Sequence, residues 1–209
     1  MDKKIDDLKI IKKVFDKYNV RFFIVYGTCL GFYRDNNFLP GDEDIDLAIV
    51  DKIDFKTRKA IGWALYDLGF EPQAISFNVF GRMEMGEQGY NGNEETGIIV
   101  CQKNTKFTIF FFKEEVCEKH GKEYVCIPKL GAMKLIATPT RFYEKAGTIK
   151  IGNERFNVPY PTDEYLEFSY RDWKDKTARD HSPTYLEAHS DEMIKDLDKK
   201  NAATIFRST

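Results

Sequence analysis

The sequence predicts an α+β fold in which a sheet is flanked by helices. Apolar residues recur at helical spacing through residues 3–18. Several short runs rich in aromatic and branched residues are typical of buried strands. The chain has 209 residues, of which 42% are hydrophobic and 14% aromatic, which is enough for one sizeable core.

The individual elements follow from periodicity and from turn and cap signals. Helices are predicted at residues 3–18, after a cap at Asp54 up to a stop at Gly69, at Asp163–Tyr170, and from Pro183 to near Lys200. Strands are predicted at Arg21–Tyr26, from Asp44 onward, and at Gln73–Phe80, Gly97–Gln102 and Lys106–Phe112, with a polar loop over residues 86–96. Gly152-Asn153 has the residue types of a two-residue hairpin turn between residues 148–151 and 154–158. We therefore expect one domain over residues 1–175 and a helical extension over residues 176–209 that packs on it.

The segment Gly41–Val50, with the sequence GDEDIDLAIV, is a carboxylate cluster that runs into an apolar strand. Successive side chains of a strand alternate between faces, so Asp44 and Asp46 should project from the same side. Two neighbouring carboxylates repel each other unless a cation lies between them, and Mg²⁺ takes one or two carboxylates plus substrate phosphates. We therefore predict a metal site at this pair, the alternative being solvated strand-end charges or turn caps. Asp42 lies in the preceding turn. It could form the turn, or it could be a hydrogen-bond partner that orients the metal ligands.

Before the acidic cluster, the predicted strand ends at Gly27-Thr28 and a short segment with helical character follows up to Arg34. Gly27 allows close backbone approach, and Thr28 is a candidate N-cap of a helix whose first free amides could bind phosphate. Arg34 has the planar donor geometry that suits phosphate, although it could instead pair with Asp35 or Asp42.

These motifs resemble those of a known family. Tyr26–Arg34 (YGTCLGFYR) and Phe38–Asp46 (FLPGDEDID) are similar to the signature of the LicD/fukutin family, which has a nucleotidyltransferase fold. A second similarity lies downstream, at Phe156–Pro159, Tyr165–Leu166 and Tyr170–Trp173. The resemblance implies a nucleotidyltransferase-like mixed sheet. We expect Tyr170 and Trp173 to be packing residues.

The resemblance also implies an activity, namely metal-dependent transfer of a phospho-alcohol (phosphocholine or an alditol phosphate) from a CDP-activated donor to a glycan or small sugar. Asp44 and Asp46 would hold Mg²⁺ or Mn²⁺ and act in catalysis with Arg34, while Gly27, Thr28 and Arg34 would bind the donor. The alternatives are a nucleotidyltransferase that acts on a small molecule and a catalytically degenerate nucleotide-binding module.

Gly41, Glu43 and Arg171 depart from the family pattern, and the departure at residue 108 is the most serious for catalysis. Thr108 stands where the family has a further Asp on a later strand. A threonine hydroxyl is a weak metal ligand and cannot serve as a general base near neutral pH. Glu84 is the acid that we consider as a replacement, because it lies on another predicted strand.

Composition excludes some partners. A formal net charge of -2 gives no electrostatic footprint for nucleic acid, and no apolar stretch approaches the ~18 residues of a membrane span. The first residues do not resemble a signal peptide, so we expect a cytoplasmic protein. Its four cysteines should then be free thiols, since their spacing does not favour a zinc site.

Overall fold

The computed structural model describes residues 3–77, 83–85, 96–117, 122–128, 135–170 and 172–176. Most of the predicted loop over residues 86–96 and nearly all of the predicted C-terminal extension lie outside these residues. The side chains of residues 74–97 and 113–137 are also outside the description, including those of Cys117 and Cys126.

The described chain confirms the predicted α+β class. The helices are α1 (Lys3–Lys17), α2 (Tyr26–Asp35), α3 (Phe55–Asp67), α4 (Arg141–Glu144) and α5 (Thr162–Ser169). The strands are β1 (Phe23–Ile24), β2 (Asp44–Ile49), β3 (Glu71–Phe77), β4 (Met83–Met85), β5 (Thr96–Gln102), β6 (Lys106–Phe111), β7 (Lys113–Cys117), β8 (Lys122–Pro128), β9 (Leu135–Pro139), β10 (Ala146–Ile151) and β11 (Glu154–Pro159). None of these helices is long and apolar enough to cross a membrane, in the part of the chain that the structure describes.

The main sheet has six strands in the order β1-β2-β6-β5-β3-β4. Strands β2 and β6 pair in parallel, and the other neighbours pair antiparallel, so the sheet is mixed as expected. Strands β7, β8 and β9 form a separate sheet, and β10 and β11 form the predicted hairpin. Gly152 lies in the hairpin turn with φ +63°, a conformation that glycine adopts without steric cost.

The two faces of β2 differ in what covers them. Ile45 and Leu47 are completely buried, and Phe107, the partner of Ile45 on β6, packs at 6.0 Å from the ring of Phe70 at the end of the α3 segment. On the opposite face, Tyr26 at the start of α2 packs edge-on against Phe110 at 5.5 Å. Helix α2 therefore lies on the face to which the acidic side chains of β2 project.

Local signals set several element boundaries. The carboxylate of Asp54 accepts a hydrogen bond from the Thr57 amide at 2.7 Å, which confirms the predicted cap of α3. The predicted strand over Arg21–Tyr26 is wrong at its end, because helix α2 already begins at Tyr26. Tyr26 adopts a left-handed φ of 48° and donates its amide to the Tyr165 hydroxyl at 3.2 Å, a distant contact that turns the chain from strand to helix.

Two of the four cysteines have described side chains. Cys29 and Cys101 are both buried free thiols, as predicted. Burial raises the pKa of the Cys101 thiol to about 12, so it stays protonated and unreactive at neutral pH.

Candidate active site

Asp44 and Asp46 lie on the same side of β2, as the strand alternation predicts. Both are half-buried, whereas Ile45 between them is completely buried. Burial raises the pKa of Asp46 well above its usual range, and the charges of Asp44 and Asp42 raise it further. The carboxylates therefore crowd one another with too little positive charge nearby to balance them.

Asp42 joins this cluster from the turn before β2. One of its carboxylate oxygens, Oδ2, is buried and has no hydrogen-bond partner in the described structure. Burial, together with the charge of Asp44, raises the pKa of Asp42 to about 6, although Lys4 acts in the opposite direction. A Cβ atom on Gly27 would lie only 2.8 Å from this oxygen, so the missing side chain of Gly27 makes room for the Asp42 carboxylate.

The prediction that Thr28 caps α2 is wrong. The helix begins at Tyr26, and its N-cap is Val25, which provides no side-chain hydrogen bond. Thr28 is completely buried inside the helix, and its hydroxyl accepts the amide of Asp46 at 3.2 Å. Thr28 thus fixes the backbone of the acidic strand against α2, while Gly27 is half-buried at the helix start.

The structure does not bring Arg34 to the carboxylates. Its guanidinium donates to Asp35 Oδ2 at 2.8 and 2.9 Å and to the carbonyl of Trp173 at 3.0 Å. The side chain is only 7% exposed, and the backbone of Arg34 lies about 10 Å along the helix axis from that of Gly27. Pairing with Asp35, the alternative to phosphate binding, is therefore the arrangement in the structure.

Strand β6 supplies two further side chains next to the cluster. Its parallel pairing with β2 places Lys106 beside Asp44 and Thr108 beside Asp46. Lys106 Nζ lies 3.6 Å from Asp44 Oδ2, and Thr108 Oγ1 lies 3.5 Å from the same oxygen. Lys106 was missed in the sequence because only the pairing of strands about 60 residues apart shows that it neighbours Asp44.

Glu84 does not replace the missing acid at Thr108. It lies on β4, at the far edge of the sheet, where it pairs with Ser76 of β3. Four strand spacings separate β4 from β2, a distance on the order of 19 Å. The idea that Glu84 completes the acidic cluster is therefore wrong.

Tyr170 and Trp173 are packing residues, as expected. They are 7% and 6% exposed, and the Trp173 ring lies 5.8 Å from the ring of Tyr33. Burial raises the pKa of Tyr170 well above its usual range, and the nearby charge of Asp46 is the next cause. Tyr170 therefore forms part of the wall around the acidic cluster.

The carboxylates of the cluster fit a divalent ion only if substrate phosphates and water complete its coordination. Among the described residues, no group of three or more His, Cys, Asp or Glu side chains is arranged to hold a metal ion. Asp44 and Asp46 could nevertheless provide the one or two carboxylates that Mg²⁺ takes when substrate phosphates and water complete its coordination. The negative charge, which Lys106 and Lys4 compensate only in part, and the unpartnered Asp42 oxygen favour such a cation.

The mixed sheet, the Asp-x-Asp strand and the helix laid against it agree with the nucleotidyltransferase-like sheet that the resemblance implies. Residues 19–72, which contain β1, α2, β2 and α3, match the family described as LicD/FKTN/FKRP, nucleotidyltransferase domain. The chain is also 29% identical over 177 residues to the ribitol-5-phosphate transferase FKTN of Macaca fascicularis, and 28% identical to that of Homo sapiens. These alignments cover 80% of the chain and 32% of each relative, so the chain spans about a third of the length of the curated relatives it matches. The resemblance to the LicD/fukutin family is thereby confirmed.

Proposed function

We propose that this chain is a metal-dependent transferase that moves a phospho-alcohol, phosphocholine or an alditol phosphate, from a CDP-activated donor to a hydroxyl of a glycan or small sugar. The observation that carries the proposal is the crowded pair Asp44 and Asp46 beside the start of α2, inside the segment that matches the LicD nucleotidyltransferase domain. The similarity to two proteins named ribitol-5-phosphate transferase supports this substrate class.

The side chains of the site have separate tasks in this scheme. Asp44 and Asp46 would hold Mg²⁺ or Mn²⁺, which neutralises charge on the phosphate oxygens of the donor. Thr28 holds the Asp46 backbone in place through its hydroxyl, and the exposed part of Gly27 lets a phosphate approach the positive end of α2. The acceptor hydroxyl attacks in line the phosphorus that bears the alcohol, the bond from that phosphorus to the bridging oxygen breaks, and CMP leaves while the hydroxyl proton passes to solvent. In such a reaction positioning and charge neutralisation supply most of the rate.

The first test is a thermal-shift screen of CDP-choline, CDP-ribitol and CDP, each with and without Mn²⁺. Stabilisation by a CDP-alcohol that requires Mn²⁺ supports the proposal, and release of CMP in the presence of a sugar acceptor then measures transfer. Labelled CTP and ATP distinguish the nucleotidyltransferase alternative, because that reaction attaches the nucleotide itself to the acceptor.

The second test is Asp46→Ala, with Asp46→Asn as the nearly isosteric form. We expect either change to lower turnover by about 100-fold or more, the size typical of removing one electrostatic stabiliser. Asp51→Asn is the matched control, because Asp51 follows the opposite end of β2 and pairs with Arg21 at the surface. Asp46 variants that fold and retain substantial activity would contradict the metal role.

Thr108 favours one alternative, a degenerate module that binds nucleotide without catalysis. Its hydroxyl lies where a further carboxylate would face Asp46 across the strands. Calorimetric titration with CDP and Mn²⁺ followed by a transfer assay decides between the two, since the module would bind CDP and leave every donor intact.

A further inference from the structure

Lys106 is the cation that β6 places against the acidic cluster. Its ammonium lies 3.6 Å from Asp44 Oδ2, and its charge opposes the rise in the pKa of Asp46. The side chain is 49% exposed and that of Asp44 is 31% exposed. An ion pair this exposed contributes little free energy, so it can be exchanged for other contacts at small cost.

Lys106 is important for the charge of the cluster because residue 108 is a threonine and not an aspartate. Because Thr108 carries no charge, β6 adds a cation to the cluster and no anion. A divalent ion at Asp44 would therefore compete with Lys106 for the same carboxylate oxygen, Oδ2. The four-carbon stem of a lysine lets the displaced ammonium move by several ångströms, and lysine binds phosphate as a mobile point charge.

From this geometry we infer that Lys106 is a positioning residue with two alternative partners. In the metal-free protein it pairs with Asp44, and when a divalent cation takes the carboxylates it contacts the phosphate oxygens of the donor. The inference rests on the proposed function, because it assumes that metal and nucleotide meet at Asp44 and Asp46. Thr108 has no carboxylate with which to bind a further cation beside Asp46. In this inference Lys106 supplies positive charge to the donor phosphates instead.

The test measures binding in two separate titrations of the full chain. Mn²⁺ alone is titrated by calorimetry, and CDP is then titrated at saturating Mn²⁺. Lys106→Gln should bind Mn²⁺ about two- to fivefold more tightly, because a competing surface cation is gone. The same variant should bind CDP about tenfold more weakly, the effect of losing one charged hydrogen bond to phosphate.

Two further variants make the result specific. Lys106→Arg keeps the positive charge and should restore most of the CDP affinity. Lys150→Gln is the matched control, because Lys150 is an exposed lysine on β10, outside the acidic cluster. It should leave both affinities unchanged.

Opposite shifts of the Mn²⁺ and CDP affinities in Lys106→Gln support the inference, since a purely structural role would weaken both. Weakening of both, or no change in either, would overturn it while leaving the metal role of Asp44 and Asp46 intact. If the wild-type chain binds Mn²⁺ neither alone nor in the presence of CDP, this inference and the proposed function fail together.

Discussion

Replacement of Asp42 by asparagine should stabilise the metal-free protein near neutral pH. The Asp42 carboxylate is half-buried, leaves one oxygen without a hydrogen-bond partner and faces the charge of Asp44. Folding therefore disfavours its ionised form. Asparagine has nearly the same shape and removes the charge.

The size of the effect follows from the pKa shift. Folding raises the pKa of Asp42 from its usual 3.8 to about 6. Fully expressed, a shift of this size corresponds to about 3 kcal/mol. Because the side chain is partly open to solvent, we expect screening to reduce the gain to about 1–1.5 kcal/mol. In a chain of this size that is about 3–5 °C in Tm.

The sign of the pH dependence is also fixed. The native state binds the Asp42 proton more tightly than the unfolded state, so the contribution of Asp42 to the free energy of unfolding falls as pH rises from about 4 to about 6. Above this window the wild type carries the full penalty, and below it the penalty is absent. The advantage of Asp42→Asn should therefore be large at pH 7.5 and nearly absent at pH 4.

Urea denaturation of both proteins without metal, at these two pH values, measures the difference directly. Asp51→Asn serves as control, because Asp51 is exposed and paired with Arg21 and should give no comparable gain. An Asp42→Asn variant that is less stable than the wild type at pH 7.5, or whose gain is the same at both pH values, would refute the reasoning.

Two other substitutions test contacts that hold α2 in place. Gly31→Ala would put a Cβ atom 2.5 Å from the carbonyl oxygen of Asn37, and this overlap should outweigh the better helix propensity of alanine, lowering the free energy of unfolding by about 1–2 kcal/mol in urea denaturation. Arg34→Lys removes the planar group that binds Asp35 and the Trp173 carbonyl together, and thermal denaturation should show a loss of about 1–3 kcal/mol. An unchanged Tm for Arg34→Lys would mean that these hydrogen bonds contribute nothing to stability.

The elements that could be predicted are those whose signals are local. The Asp54 cap, the Gly152-Asn153 turn and the shared side of Asp44 and Asp46 each depend on residues a few positions apart. These features depend on backbone geometry within one turn or strand, which the sequence encodes directly.

The features that could not be predicted depend on distant contacts. The residues from Arg21 to Tyr26 have strand character, yet the chain turns into a helix at Tyr26, whose amide is bound by a hydroxyl 139 residues away. Arg34 has a side chain suited to phosphate, and only the position of residues 173–175 shows that backbone carbonyls use its donors. The neighbours of Asp44 on β6 likewise follow from strand order.

Hydrogen bonds to the backbone of Asp46 connect the acidic strand to the segment that begins α2. The Thr28 hydroxyl accepts the amide of Asp46, and the amide of Val25 donates to the carbonyl of Asp46 at 3.1 Å. Both polar groups of this one peptide position are thus bound by the segment that starts α2, which fixes the acidic side chain relative to the helix end. A Gly-Thr pair is suited to this task, because glycine leaves room for the Asp42 carboxylate and a buried threonine can supply an acceptor. The Gly-Thr pair therefore contributes to the candidate site by holding the carboxylates in place, with Thr28 buried and Gly27 partly exposed.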